Sequence, residues 1–343
     1  MRRALAVLPY AVGLAVALAL PRVMYPVLAL DILLWGLFAM SVDLLLGYVG
    51  LLSFGHAAFW GLGAYAAAIL AKSADAPFVI AALVGAGASA LLAIPFGYLA
   101  IRRRGIYFAM VTLAFAQLVF YVANEWRDVT GGENGLHGVP RTFPGLTLGR
   151  SGDFYYAALP LILLGYAIAY RIVHSPFGHV LVAIRDNEPR AQALGYPTWR
   201  YKLLAFVLSG GLAGLAGGLF ALGNGFASLD LLHWTTSGQA VLITILGGIG
   251  TLWGSLLGAV IVLELRDALT SAPELSGVVT GTVFVVIVLA FRRGLWATGR
   301  EALRRFAAPP VSARIDISEG EVRHGRSPCG SSGCRRRASR PWR

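Results

Sequence analysis

Apolar runs long enough to cross a bilayer follow one another through most of this 343-residue chain, parted only by short polar stretches. They read at 4–20, 26–47, 50–72, 77–101, 105–124, 154–171, 203–224, 238–250, 253–270 and 277–293. A helix needs about 20 apolar residues to span the hydrocarbon core. Inside lipid every backbone polar group must be satisfied internally, so only helices and closed barrels can span. A barrel would show alternating segments of about ten residues, and these runs are continuous. The sequence predicts an all-α polytopic membrane protein with about ten transmembrane helices, or about eight or nine if short runs fuse. The run at 238–250 is short, and reads as a half-helix or as part of one span with 253–270. Only 13% of residues are charged, against about 25% in a soluble domain, which leaves no room for a large soluble domain.

The net charge is +12, and a basic balance can mean nucleic acid. Here the arginines sit in short clusters between apolar runs, which is the positive-inside pattern of a membrane protein instead. Arg2 and Arg3, Arg102 to Arg104, the loop 171–202 and the pair Arg292 and Arg293 read as cytoplasmic, and the loop 125–153, richer in carboxylates, as external. Both termini then face the cytoplasm. The basic, apolar start of the chain has the pattern of a signal peptide, but ahead of many further spans it reads as a retained first helix. Residues 1–308 form the transmembrane domain. From 309 to 343 the chain turns to Arg, Ser and Gly and cannot bury enough apolar surface to fold. That tail reads as disordered and cytoplasmic, either drawn to anionic membrane lipid or simply solvated with no role. Its two cysteines, Cys329 and Cys334, read as free thiols, because a lone pair without a second ligand pair is weak evidence for a metal.

One run differs from a plain anchor. GYVGLLSFGHAAFWGLGAYAAAIL, residues 47–70, carries Ser53 and His56 amid glycines at 47, 50, 55, 61 and 63. Glycine permits close backbone approach and also permits a helix to break. Broken backbone at membrane depth is tolerated only where it is buried in protein or lines a cavity, so the segment points to a transport path. Ser53 and His56 are the first candidates for that path, followed by Thr112 and Gln117, which lie about 140° apart around a helix. A hydrogen-bonded packing role for His56 and a bond from Ser53 back to its own helix are the alternatives. Asn134 in the external loop and the glycine run 247–254 admit both structural and functional readings.

Several chemistries are missing. There is no GxxxxGK[ST], and the only lysines, Lys72 and Lys202, do not follow a glycine; P-loop ATP hydrolysis needs that lysine. HExxH and GxSxG are absent too. The set His174, His179 and Asp186 is too sparse for a membrane-embedded transferase, so the chain reads as no enzyme. Asp31, Asp43, Glu264 and Asp267 fall toward the ends of runs, whereas an ion-coupled carrier places ionisable groups along its path. Energy for transport would come from a partner. The loop 171–202, RIVHSPFGHVLVAIRDNEPRAQALGYPTWRYK, is the place for that partner. Ser175-Pro176 predicts a helix start; Asp186 to Glu188 predict a break, and Gly195 the C-cap of a second short helix. The two would make a rigid knob, or else an amphipathic connector on the membrane.

These residues resemble the coupling segment of ABC-importer permeases, with Glu188, Ala191 and Gly195 in the places of an E-A-A…G pattern and Pro189 and Arg190 departing from it. More specifically, the chain resembles LivM-type permeases of branched-chain amino-acid importers. GYVGLLSFGHAAFWGLGAYAAAIL, RGIYFAMVTLAFAQ, TGGENGLHGVPR, AIRDNEPRAQALGY and GGIGTLWGSLLGA follow in that family's order across about 30–300. The resemblance implies the ABC-importer permease fold with some broken helices, in the bacterial inner (plasma) membrane. It implies a LivH-type permease subunit, two cytoplasmic ATPase subunits and an extracytoplasmic substrate-binding protein as partners. ATP would be bound by those ATPases and no cofactor by this chain. The cargo would be a branched-chain amino acid, with urea or a short amide as the alternative. Pro176, Phe177, Gly178, Arg185, Asp186, Asn187, Glu188, Ala191 and Gly195 would form the ATPase-coupling loop.

Overall fold

The computed structural model describes residues 24–143, 146–147 and 151–269, with a few isolated positions on either side. The first and last apolar runs, the tail with its cysteines and the boundary at 308 lie outside the described residues. Within them the architecture is helical. Six helices are long and apolar enough to span a membrane: α1 (Pro26–Leu46), α2 (His56–Ala74), α3 (Phe78–Ala100), α4 (Ile106–Glu125), α5 (Ser151–Val173) and α8 (Thr198–Asn224). Between α5 and α8 come two short helices, α6 (Pro176–Asp186) and α7 (Glu188–Ala193). After α8 come α9 (Trp234–Gly247) and α10 (Leu252–Ala268), bent by 113° at the intervening break. The runs at 238–250 and 253–270 are therefore two separate helices sharply bent at Gly248–Gly250, a broken span or a re-entrant loop, with the eighth run a half-helix. The six earlier runs in this range each gave one helix. The largest departure lies in the run 50–72, whose helix begins only at His56.

The arrangement follows from which helices are apolar all round. A helix without a polar face belongs in the interior, and α1 is the centre here: Leu34, Leu37, Phe38 and Ala39 are fully buried. It packs against α5, α8, α9 and α10. By contrast, α3 and α4 leave Leu83, Leu91, Ile106, Tyr107 and Met110 exposed along one side, a surface suited to lipid or to another membrane helix. Helices α2, α3 and α8 cross at backbone contact. A methyl group at Gly63 would lie 2.2 Å from the Gly214 carbonyl oxygen, and one at Gly217 would lie 2.0 Å from that of Trp60. No side chain fits at those points. Close small-residue packing of this kind is what holds membrane helices together where lipid offers no hydrophobic drive.

Small pieces of irregular structure close the end away from Arg102 to Arg104. The segment 126–137 runs through one helical turn (Arg127–Thr130) and a 3-10 turn (Gly132–Asn134). Its strand Leu136–His137 pairs antiparallel with Phe226–Ala227, tying this loop to the end of α8. Asn134 lies in that 3-10 turn, and Thr142–Phe143 pairs with Leu146–Thr147 in a separate short hairpin.

Candidate functional site

The chain leaves α1 at Gly47 and does not resume helix until His56. This break turns back into the protein. Ser41, six residues before Gly47, contacts the same group of side chains as His56, so α2 starts about 9 Å along α1 from its end. A helix start at that depth has orphan N–H groups with no water to bond, and three hydroxyls supply acceptors, two from other helices and one from the break itself. Thr112 Oγ1 of α4 accepts from Phe54 N at 3.2 Å. Ser53 Oγ accepts from Gly55 N at 3.2 Å. Ser237 Oγ of α9 accepts from Ala57 N at 2.7 Å.

His56 completes the junction. Its Nδ1 lies 3.1 Å from Ser53 Oγ and its Nε2 lies 2.7 Å from Ser209 Oγ of α8. The Ser209 hydroxyl donates onward to the Ser41 carbonyl of α1. These directions assign the imidazole: Ser209 has spent its proton on a carbonyl, so Nε2–H donates to it, and Nδ1 accepts from Ser53. The resulting relay crosses α2, α8 and α1. Ser53, His56, Thr112 and Ser209 are all 1% exposed or less. The structure thus brings together three of the four path candidates. Gln117 stands apart, half-buried and farther along α4. Ser209 and Ser237 were not singled out from the sequence. The available signal was Ser209 as the one serine of the run 203–224; Ser237 lies just ahead of the run 238–250 and gave none.

A second constellation joins the coupling loop to the two chain breaks. α6 begins at Pro176 behind Ser175, whose Oγ accepts from Gly178 N, and α7 begins behind Asn187, whose Oδ1 accepts from Arg190 N at 3.0 Å. Gly195 follows α7 with φ +87°. Both helices form where the sequence placed them. Glu188, at the start of α7, turns inward. Its carboxylate accepts from Lys202 Nζ at 2.6 Å and from Thr198 Oγ1 at 3.2 Å, and Arg104 pairs with it at 3.3 Å. Ala191 is buried beside it, whereas Asp186, Asn187 and Gly195 are exposed. Phe177 stacks on Tyr201 with ring centroids 5.6 Å apart, and Gly178 sits where a methyl group would strike the Val173 carbonyl.

Arg185 of α6 reaches across to donate to the Gly47 carbonyl at the end of α1. Its stem lies on Gly50, where φ is +78° and a methyl group would come within 2.9 Å of Arg185 Cγ. The same turn holds the break between α9 and α10: Gly250 N donates to Asp43 Oδ1 at 2.7 Å, and Tyr48 donates to the Gly250 carbonyl at 3.0 Å. Asp43 is fully buried, although it stands only three residues from the end of α1. Among the described residues no group of three or more His, Cys, Asp or Glu side chains converges as a metal site would.

The sequence over residues 25–288 matches the family model described as the permease component of branched-chain amino acid transport systems. The chain belongs to that family. It is 30% identical to the high-affinity branched-chain amino acid transport system permease protein LivM of Salmonella typhimurium, over 77% of this chain and 68% of that protein. It is 29% identical to the protein of the same name in Escherichia coli over the same shares. A shorter match, 34% identical over 32% of this chain and 34% of the relative, reaches the autoinducer 2 import system permease protein LsrC of Photorhabdus laumondii. No solved structure matches the chain. The family is a family of transport permeases, and the six long apolar helices make this member a multi-pass membrane protein.

Proposed function

We propose that this chain is one permease subunit of an ATP-driven importer in the bacterial inner membrane, and that it carries branched-chain amino acids. The observation behind this reading is the family match over residues 25–288, together with two LivM relatives of comparable extent. The remaining parts are supplied by partners. A LivH-type subunit would complete the membrane path, an extracytoplasmic binding protein would deliver the amino acid, and two cytoplasmic ATPases would bind the ATP. The knob formed by α6 and α7 suits the ATPase contact. Leu194 is 72% exposed and Trp199 51%, between Arg190 and Arg200. Arg102 to Arg104 lie at the same end, which by the positive-inside rule faces the cytoplasm.

Alternating access requires two discrete packings of the helices, each favoured by a different partner state. In the packing described here Ser53, His56 and Thr112 are sealed into the start of α2 by hydrogen bonds. The translocation path runs beside this start. Gln117 stands closer to an open face of α4, and the other three residues reach the path only when α4 moves off α2.

The test is reconstitution of the four kinds of subunit in liposomes, with uptake of labelled leucine, isoleucine and valine followed with and without ATP, and with urea as comparator. ATP-dependent uptake of the amino acids is the expected result. Uptake that survives removal of the ATPases, or uptake of urea in place of the amino acids, would overturn the reading.

A further inference from the structure

Two chain breaks meet at the basic end of the molecule. One is the non-helical stretch after α1, from Gly47 to Gly55; the other is the reversal between α9 and α10 at Gly248 to Gly250. The two are bonded to each other at Gly250, which also bonds the last turn of α1. Its N–H is held by Asp43 and its carbonyl by Tyr48. Neither break touches the exposed surface of the knob, yet one side chain of the knob reaches them. Arg185 is the last basic residue of α6, and its guanidinium donates to the Gly47 carbonyl.

That acceptor is particular. Gly47 follows the last residue of α1, where carbonyls have no helical partner and the helix dipole favours a cation. A charge-assisted bond there is among the stronger single contacts a surface element can make. The glycine at 50 is what lets the arginine stem lie flat on the turn, since a methyl group would crowd Arg185 Cγ at 2.9 Å. On the other side of the knob, Glu188 is fixed to Lys202, Thr198 and Arg104. The knob is therefore fastened to α8 by Glu188, by Gln192 and by the Phe177–Tyr201 stack, to the α3–α4 loop by Glu188, and to the Gly47 break by Arg185.

We propose that Arg185 is the positioning residue that transmits displacement of the α6–α7 knob to both chain breaks, by way of the Gly47 carbonyl and the Asp43–Gly250–Tyr48 contacts. This rests on the reading of the chain as an importer permease and assigns one residue its part in that reaction. When α6 shifts, the Gly47 turn moves with it, and Gly250 follows because its carbonyl is bonded to Tyr48 of that turn and its N–H to Asp43 in the adjoining last turn of α1. α2 and α9 each start or end at one of these breaks, and they meet at Ala57 and Ser237. A movement at the basic end thus reaches the buried start of α2.

The experiment uses the complete complex in liposomes and measures amino acid imported per ATP hydrolysed. For Arg185→Ala the expected result is normal subunit assembly, ATP hydrolysis within about twofold of wild type, and a ratio lowered about tenfold, the scale of one hydrogen bond to a charged group. Arg185→Lys keeps the cation without the planar fork and should recover part of the ratio. Tyr48→Phe, which leaves the knob untouched, should lower the ratio in the same sense. A wild-type ratio in Arg185→Ala would overturn the proposal, as would an equal fall in hydrolysis and uptake, which marks lost docking instead. Should Arg185→Ala fail to assemble, the Lys and Phe variants decide: wild-type ratios in both overturn it. If the wild-type complex itself imports no amino acid with ATP, the functional reading fails, and this inference fails with it.

Discussion

The ion pair of Glu188 and Lys202 offers a quantitative test of how the coupling knob is held. Their side chains are 15% and 6% exposed, and the oxygen–nitrogen distance is 2.6 Å. Removing one partner of a buried pair typically costs about 3–5 kcal/mol, because the other charge stays behind uncompensated. The two single removals should differ here. After Lys202→Met the carboxylate keeps the Thr198 hydroxyl at 3.2 Å and Arg104 at 3.3 Å. Arg104 is 66% exposed, so its pairing is worth under about 1 kcal/mol, but it leaves Glu188 near water and partly compensated. The expected loss is about 1–2 kcal/mol. After Glu188→Leu the Lys202 ammonium stays almost wholly buried without its carboxylate, and the loss falls in the full range of about 3–5 kcal/mol. The double variant removes both charges and should lie within about 1 kcal/mol of wild type, since apolar replacement of a buried pair is often neutral. The assay is the fraction of monodisperse protein in detergent after heating. At about 2 °C per kcal/mol for a chain of this size, Glu188→Leu should lower the midpoint by about 6 °C or more. A larger shift for Lys202→Met than for Glu188→Leu would refute this account, and so would a double variant whose shift equals the sum of the two.

Three further outcomes follow from the same geometry. Ser209→Ala should lower the thermal midpoint more than Ser41→Ala, because it leaves the Nε2–H of a fully buried His56 without an acceptor, a loss of about 1–3 kcal/mol. In Gly217→Leu the side chain meets the Trp60 carbonyl at 2.0 Å; overpacking against backbone costs about 1–3 kcal/mol or more, and size-exclusion of the solubilised chain should show loss of the folded monomer. Leu194→Asp with Trp199→Ala should abolish capture of the ATPase subunits while leaving the midpoint of the isolated chain unchanged, since both side chains are more than half exposed.

What could be read from the sequence was whatever a short stretch of chain decides by itself. Ser175-Pro176, Asn187 and Gly195 bound α6 and α7 because caps and positive φ are local requirements, and these helix ends came out close to where they were expected. The six long helices followed from apolar length alone. The run 50–72 was drawn as one span although its glycines were read as permitting a break, and hydropathy does not register where that break falls, from Gly47 to Gly55. The two constellations were beyond such reading for a different reason. Glu188 and Lys202 are fourteen residues apart, but His56 and Ser209 are separated by 153 and Asp43 and Gly250 by 207. Only the packing of α1, α2 and α8 decides which lone serine faces the histidine.

The glycines carry a comparable ambiguity, and the structure resolves it into two roles. Gly63, Gly214 and Gly217 are small so that α2, α3 and α8 can touch at the backbone, which makes that part of the molecule a fixed block. Gly50 and Gly250, with φ of +78° and +76°, are small because the chain turns there. Residues of the second kind cluster under Arg185 at the basic end, while those of the first kind lie deeper among the spans. A permease of this build would keep its three-helix block rigid and take up motion at the breaks. A substitution at Gly50 should therefore act differently from one at Gly217. Gly50→Ala strains a turn by about 1 kcal/mol and displaces the Arg185 stem, so the complex should assemble and hydrolyse ATP yet import less per cycle. Gly217→Leu should prevent assembly altogether. If both variants instead lost assembly to the same degree, the division into block and breaks would be wrong.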